Sequence, residues 1–144
     1  MAKMIFVNLP VTDLSRSVAF YEALGFTKNP QFSNEVAACM VWSESIFVML
    51  LTHDFWKTFT TKEIPDAHVS SQVALCVNFD SREEVDAVTD AATAAGGKGD
   101  SSPPQDHGFM YQRSFEDPDG HAWEPMWMDP AVASGEQPAE PVPA

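Results

Sequence analysis

The sequence predicts an α+β fold built from two copies of one βαβββ unit. Three observations support this prediction. An alternating apolar pattern in residues 6–11 returns in residues 72–77. Each of these predicted strands leads into a predicted helix and then into further strand-like segments. The sequence Asp-Pro-Asp-Gly at 117–120, a strong turn former, directly precedes the last apolar strand. A repeated supersecondary unit is therefore the main organising feature of the chain.

The first unit is predicted to span residues 1–53. Residues 4–11 alternate as a strand, and Asp13 is a suitable N-cap for a helix that ends near Leu24, before Gly25. The breaks between the next three apolar segments are short enough for hairpins. These predicted strands are residues 26–32, 36–43 and 45–52. Residues 54–68 are predicted to form a linker, as a short helix or a loop.

The second unit is predicted to span residues 69–128 and to repeat the same order. Ser81 and Glu84 form a capping box for its helix, which runs toward a Gly-Gly pair at 96–97. A weak strand near Lys98, a strand around 109–115, the turn and a last strand at 121–128 complete it. Residues 129–144 hold four prolines, three acidic residues and no basic residue. This tail is predicted to be disordered.

The composition excludes some classes of partner. The chain has 144 residues, with 8 Lys and Arg against 21 Asp and Glu, and a formal net charge of −13. This charge argues against binding to nucleic acid or anionic membranes, and it permits a cationic ligand. No apolar segment approaches the ~20 residues of a membrane span, and the N-terminus lacks a signal-peptide pattern. Cys39 and Cys76 lie between apolar residues, which predicts buried free thiols in a cytoplasmic protein.

Glu124 is the most informative charged residue. Alternation along the last strand places it on one face with Ala122, Met126 and Met128. A carboxylate among apolar neighbours needs a partner, a metal, a ligand or water. The alternative is an edge strand that lets Glu124 reach solvent. In the first case we expect Gln72 to be its nearest hydrogen-bond donor.

Several motifs together resemble one superfamily. The first predicted helix carries Asp13, Leu14, Ser17 and the pair Phe20-Tyr21, and the turn at 117–120 precedes the last strand. With the twofold repeat, these motifs resemble the vicinal oxygen chelate superfamily of glyoxalases, bleomycin-resistance proteins, extradiol dioxygenases and fosfomycin-resistance enzymes. The resemblance covers roughly residues 3–128. It implies that the repeats form a curved mixed-sheet cup. It does not by itself define an activity, because proteins with the same fold can carry out different chemistry.

The resemblance also assigns metal-ligand positions, on the first and fourth strands of each unit. These positions fall on Phe6, on Met49 or Leu50, on Gln72 and on Glu124. A divalent metal prefers three or four His or carboxylate ligands, and phenylalanine has no lone pair to offer. The usual metal site is therefore predicted to be lost, and no cofactor is predicted. The alternative is a divalent metal held by other histidines, for which the candidates are His53, His107 and His121.

What remains is a cup for a small molecule. The predicted ligand-binding residues are Phe6, Asn8, Gln72, Cys76, Glu124, Met126 and Tyr111, with Ala74 and Met128 beside them. Apolar walls, aromatic rings and a few polar groups are typical of such sites. His107 and Glu124 are the candidates for acid/base chemistry. The alternative is that these side chains simply fill the core of a closed barrel.

Two classes of function stay open. The first is a metal-free protein that binds or sequesters a small molecule, for which the negative charge favours a cation. The second is a lyase, isomerase or dioxygenase that uses an unconventional metal set or metal-free acid/base chemistry. Related cups are often completed between subunits, so we expect a homodimer. No motif in the sequence specifies the ligand or substrate.

Overall fold

The computed structural model describes residues 2–135, and both predicted units are present. The first unit consists of β1 (Ile5–Val11), α1 (Leu14–Ala23), β2 (Thr27–Asn29), β3 (Ala37–Val41) and β4 (Ile46–Thr52). A turn of 3-10 helix, Pro30–Phe32, follows β2. Because Pro30 has no backbone N–H for the sheet, β2 ends after three residues, earlier than the predicted strand 26–32.

Helix α1 begins at its predicted cap. The Asp13 side chain accepts a hydrogen bond from the Arg16 N–H at 3.1 Å. After the helix, Gly25 adopts a φ of +104°, a left-handed conformation that glycine takes at little cost. Ser17, Phe20 and Tyr21 form the buried stripe of the helix. This stripe packs α1 against the first sheet.

The first sheet has the strand order β1–β4–β3–β2. Strands β1 and β4 are parallel, and the other two pairs are antiparallel. Because side chains alternate along a strand, Leu9 and Leu50 face the core while their neighbours point away from it. We call the second side the open face of the first sheet. It carries Phe6, Asn8 and their register partners Phe47 and Met49.

One helical turn, α2 (His53–Trp56), begins at the last residue of the predicted first unit and continues into the predicted linker, 54–68. The Thr52 hydroxyl oxygen caps it by accepting a hydrogen bond from the Phe55 N–H at 3.3 Å. Residues 57–73 then run through turns and loops to the second unit.

The second unit follows the predicted order, except that the predicted strand 109–115 is divided in two and a short extra strand precedes it. It consists of β5 (Ala74–Asn78), α3 (Arg82–Ala94), β6 (Lys98–Gly99), β7 (Gln105–Asp106), β8 (Met110–Gln112), β9 (Phe115–Glu116) and β10 (Ala122–Met128). Strand β10 pairs in parallel with β5 and antiparallel with β8 and β9. The predicted strand 109–115 is interrupted opposite Pro125, which accepts from the Arg113 N–H at 3.1 Å but has no N–H to donate.

The second sheet also has a core face and an open face. Trp123 and Pro125 of β10 are buried, and Leu75 and Val77 of β5 pack against the same core. The open face of the second sheet carries Ala74, Cys76, Asn78, Gln112, Ala122, Glu124 and Met126. Alternation along residues 121–128 thus places Glu124 on the face that the sequence predicts.

One hydrophobic core joins the two units. The Phe20 ring of α1 lies 6.2 Å from Phe115 of β9, and the Tyr21 ring lies 6.0 Å from Trp123 of β10, measured between centroids. Burial of a large apolar side chain stabilises a fold by about 1.5–3 kcal/mol. The shared core therefore fixes the position of β10 relative to α1.

The turn at 117–120 anchors this core with buried hydrogen bonds. Asp117 is 2% exposed and accepts from the Tyr21 hydroxyl at 2.6 Å. The N–H groups of Asp119 and His121 donate to the other Asp117 oxygen at 3.0 and 2.8 Å. Burial raises the pKa of Asp117, and it also raises the pKa of Tyr21 well above its usual value. The three donors offset the cost of burying this carboxyl group.

The end of the described chain differs from the prediction. Disorder was predicted from Asp129 onward, but Pro130–Ala133 form a short helix, α4. The Asp129 side chain caps α4 by accepting from the Ala131 N–H at 2.9 Å, and the Asp129 N–H donates to Phe109 O at 2.7 Å. Residues 136–144 of the predicted tail lie outside the described residues. Within 2–135, none of the helices has the length and apolar character needed to cross a membrane.

Candidate functional site

The open face of the first sheet presents an aromatic surface. The Phe6 ring stacks on Phe47 across the β1–β4 pair, with centroids 4.5 Å apart and planes 10° apart. Phe6 remains 48% exposed. Asn8 lies on the same face, opposite Met49. The sequence left Met49 and Leu50 as alternatives, and the structure places Met49 on this face and Leu50 in the core.

A cavity of about 510 Å³ opens on this face beneath α2. We call it the aromatic cavity. Its lining consists of Asn8, Met49, Leu51, Phe55, Trp56, Phe59 and Thr60. The sheet forms one wall, and α2 with the turn after it forms the other. The Phe55 and Phe59 rings meet edge to face, with centroids 5.0 Å apart. Every lining side chain that the structure describes is uncharged.

The sequence prediction missed most of this cavity. Of its lining, only Asn8 was among the predicted ligand-binding residues. Phe55, Trp56 and Phe59 lie in the stretch that was predicted to be a linker. These three aromatic residues are closely spaced in the sequence, which is unusual for a linker exposed to solvent. This spacing was the signal from which the cavity wall could have been predicted.

On the open face of the second sheet, Glu124 has a different partner from the one predicted. The Gln112 side-chain amide donates to a Glu124 carboxylate oxygen at 3.3 Å. Gln72 precedes β5, whereas Glu124 is opposite Cys76 in the parallel pair. Gln72 therefore lies two residues before β5 begins and four residues before the position opposite Glu124. The prediction that Gln72 is the nearest donor was wrong, because it lacked the register between β8 and β10.

A second cavity lies where β1 and β5 approach each other. This inter-unit cavity, of about 360 Å³, lies between Leu9 and Pro10 of β1 and Leu75 of β5. Gln72 and Ala122 also line it, and Ala122 precedes Glu124 by two residues on the same face of β10. Trp56 lines both this cavity and the aromatic cavity. The Trp56 side chain is therefore a wall shared by the two.

Cys76 faces solvent on the second open face, although the sequence predicted a buried thiol. Cys39 is buried as predicted. Partial desolvation raises the pKa of the Cys76 thiol, and the Glu124 carboxylate raises it further. A thiol with a raised pKa stays protonated near neutral pH and is a poor nucleophile. Cys76 can therefore line a binding face, and its environment does not favour nucleophilic chemistry.

Tyr111 does not belong to the open face, which corrects its predicted role as a ligand-binding residue. It lies opposite Trp127, on the α3 side of the second sheet. Its hydroxyl donates to Asp86 of α3 at 2.6 Å, and the Arg82 guanidinium lies 5.2 Å from the centre of its ring. Arg82 also holds Asp106 through two hydrogen bonds, which lower the pKa of Asp106 to about 2. Tyr111 therefore helps to attach α3 to the sheet.

His107 is not brought to Glu124. It lies at the turn between β7 and β8, where its N–H donates to Met110 O at 2.9 Å. Met110 is opposite Met128, and Glu124 lies four residues back along β10, or about 13 Å away. His107 follows β7, which is the edge strand of the second sheet and is separated from β10 by β8. The structure therefore separates the two residues that were predicted as an acid/base pair.

The other histidines lie around a third cavity, also of about 360 Å³, at the turn. His53, His68 and His121 line it together with Arg16. A ring nitrogen of His121 lies 2.8 Å from Pro10 O, and one of His68 lies 3.1 Å from Pro118 O. These contacts attach both the linker and β1 to the turn. Within residues 2–135, no group of three or more His, Cys, Asp or Glu is arranged to hold a metal ion.

The fold defines a class of protein: an α+β chain of two βαβββ units with curled sheets, each of which has a core face and an open face. A family model agrees with this class. The model of the Glyoxalase/Bleomycin resistance protein/Dioxygenase superfamily matches residues 3–124, and the chain belongs to that superfamily.

Solved structures show the same fold. A hypothetical protein from S. aureus is 26% identical, with a TM-score of 0.73 over 88% of this chain and 95% of that chain. A glyoxalase/bleomycin resistance protein/dioxygenase family enzyme from Burkholderia phytofirmans PsJN is 19% identical, with a TM-score of 0.71 over 88% and 99%. The fosfomycin resistance protein FosX from Listeria monocytogenes is 18% identical, with a TM-score of 0.62 over 88% and 91%. A search of curated proteins found no match.

Members of this superfamily often use a divalent metal, and the donor chemistry of the corresponding positions decides whether one fits here. Phe6 has no lone pair, and its ring is stacked on Phe47. Met49 offers a soft thioether, whereas Glu124 is a hard carboxylate already in contact with Gln112. Gln72 lies before β5, at the inter-unit cavity. This set of donors does not suit a divalent metal.

Proposed function

We propose that the protein binds and sequesters a small molecule in its cup. The aromatic cavity is the observation that carries this proposal. Its volume lies within the range of small-molecule sites, and its lining is mainly apolar with two polar side chains, Asn8 and Thr60. The cup residues proposed to contribute are Phe6, Asn8, Gln72, Cys76, Glu124 and Met126. The two free thiols, Cys39 and Cys76, support a cytoplasmic location.

We also propose that the usual metal site is lost and that binding needs no cofactor. The donor chemistry at Phe6, Met49 and Gln72 supports this. The alternative is a lyase, isomerase or dioxygenase, and it needs an unconventional metal set or acid/base residues in reach of one another. The distance between His107 and Glu124 does not favour it. Elemental analysis of protein purified without a His tag separates the two: a stoichiometric transition metal contradicts the metal-free proposal.

Phe59→Ala is the direct test of the cavity. Phe59 is 68% exposed, so its truncation leaves the core intact while removing one aromatic wall. We expect compounds found by thermal-shift screening to bind about tenfold more weakly to this variant in calorimetry, because aromatic contacts and apolar burial are both lost. Phe32→Ala is the matched control, since Phe32 is similarly exposed, at 62%, and lies outside the aromatic cavity. Equal affinities for the two variants would contradict the proposed site.

Glu124 is proposed to receive a positively charged or hydrogen-bond-donating group of the ligand. It is a carboxylate on the open face beside the inter-unit cavity, in a chain of net charge −13. We expect Glu124→Gln to weaken the binding of cationic screening hits by about tenfold and to leave uncharged hits nearly unaffected. Glu83→Gln, at an exposed position on α3, is the control. The Glu124 proposal fails if cationic hits bind both variants equally.

A homodimer is proposed because apolar residues remain exposed around β1 and β5. Met4, Ile5 and Phe6 are 46–55% exposed, and Val73 is 62% exposed. Contiguous exposed apolar surface usually marks an interface. We expect light scattering to give a mass of twice the 15.8 kDa of one chain at micromolar concentrations. A mass near that of one chain throughout this range would exclude the dimer.

A further inference from the structure

We propose that the part of the ligand held in the aromatic cavity is a flat, uncharged ring system of two or three fused rings. This inference rests on the proposed function and adds the chemical class of the ligand. It follows from the shape of the cavity, its charge and the two polar groups in its wall.

The shape of the cavity favours a flat molecule. Met49 and Leu51 alternate on the same side of β4 and form part of a sheet surface. The rings of Phe55 and Phe59 stand across from this surface, on α2 and the turn that follows it. A ring inserted between a pleated sheet and aromatic side chains contacts both walls at once. Aromatic faces and a methionine sulfur both interact favourably with such a ring.

The charge of the cavity favours an uncharged group. Every lining side chain that the structure describes is uncharged, so the cavity offers an ion no charged partner in exchange for the water that the ion loses. The net charge of −13 further disfavours an anion.

An aromatic cage around an ammonium group is the main competing interpretation, because aromatic rings also bind cations. Two observations argue against it. Phe55 and Phe59 meet edge to face with centroids 5.0 Å apart, so the edge of one ring covers the face of the other and leaves no room for a cation between them. The remaining space of about 510 Å³ is also much larger than a trimethylammonium group requires.

The polar groups limit the substituents on the ring. Asn8 supplies an amide and Thr60 supplies a hydroxyl, and both can donate and accept hydrogen bonds. They can satisfy one or two neutral groups such as a hydroxyl, a carbonyl or a ring nitrogen. A cavity of this volume accommodates two or three fused rings.

The position of Trp56 indicates in which direction a substituent on the ring would leave the aromatic cavity. Because it lines both cavities, we expect a substituent that leaves the aromatic cavity along the Trp56 ring to extend toward the inter-unit cavity, where Ala122 lies. Glu124 is the next residue on that face of β10.

Four probes test this chemistry by calorimetry with the full chain at pH 7. They are naphthalene-2-methanol, 2-naphthoate, decahydronaphthalene-2-methanol and choline. We expect naphthalene-2-methanol to bind most tightly. The anion and the saturated, non-planar analogue should each bind about tenfold more weakly, because the first buries a charge and the second loses aromatic contact. Choline should bind more weakly still.

Two variants locate the binding. Phe59→Leu keeps an apolar side chain but removes the ring, so we expect the preference for naphthalene-2-methanol over its saturated analogue to shrink severalfold. Phe32→Leu makes the same change at an exposed site outside the cavity and should leave the preference unchanged. An unchanged preference in Phe59→Leu would overturn the inference.

The outcomes distinguish this inference from the proposed function. If screening hits are lost in Phe59→Ala but choline, 2-naphthoate or the saturated probe binds as tightly as naphthalene-2-methanol, the ligand class is wrong and the function stands. If neither probes nor screening hits bind, both are wrong. Probe affinity that falls as the protein dimerises would show that a second copy fills the cavity, which also overturns the inference.

Discussion

Asp117→Ala is expected to destabilise the protein by about 3–5 kcal/mol in urea unfolding at pH 7. The substitution leaves the Tyr21 hydroxyl and two backbone N–H groups without their buried acceptor. It also disturbs Trp123, whose indole N–H donates to the Tyr21 oxygen at 3.1 Å. Because whole domains of this kind are stable by only about 5–15 kcal/mol, this is a large fraction of the total.

Two further substitutions show whether hydrogen bonding causes the loss. Asp117→Asn keeps an oxygen for the two N–H groups, and its amide can donate to the Tyr21 oxygen, so we expect a loss of about 1–2 kcal/mol. Asp66→Ala removes an exposed carboxylate that accepts from the His68 N–H at 2.9 Å, and it should cost less than about 1 kcal/mol. If Asp117→Ala lowered the stability no more than Asp66→Ala, the buried hydrogen bonds of the turn would not be what holds the two units together.

Gly120→Ala is expected to have the second largest effect, on stability and on ligand binding together. Gly120 has a φ of +89°, and a Cβ there would lie 2.6 Å from the His68 nitrogen and 2.7 Å from the Ala67 carbonyl carbon. The linker would have to move away from the turn. Since this segment continues from Phe59 and Thr60, we also expect weaker binding of cavity ligands.

Gly25→Ala is the matched control for Gly120→Ala. Gly25 has a similar φ of +104°, but a Cβ added there would meet no atom of residues 2–135 within 4 Å. The control therefore reports the backbone strain alone, about 1–2 kcal/mol. We expect Gly120→Ala to cost about 2–3 kcal/mol more, through overpacking against the linker. Equal losses in urea unfolding would show that the linker does not pack tightly on the turn.

The sequence predicted the repeat, the turn and the faces of the strands, because each is encoded over a few neighbouring residues. Alternation placed Glu124 on the open face, and Asp13 was recognised as a helix cap from its local context. Strand lengths were less accurate where a proline changed the pairing. Pro125 divides the strand opposite it, and this effect depends on which residue lies across the sheet.

The partners of the site residues were decided by tertiary structure. Gln112 reaches Glu124, and Tyr111 turns to α3, because of the register between β8 and β10. Nothing in the local pattern encodes that register.

By itself, the sequence determined that two βαβββ units form an acidic, α+β protein with Glu124 on an open sheet face. Only the tertiary structure decided that the predicted linker forms a wall of the aromatic cavity. Phe55, Trp56 and Phe59 lie far along the chain from Asn8 and meet it only because β1 and β4 are parallel neighbours and α2 folds over them. Local periodicity records which way a side chain points, whereas a cavity forms where distant segments pack together.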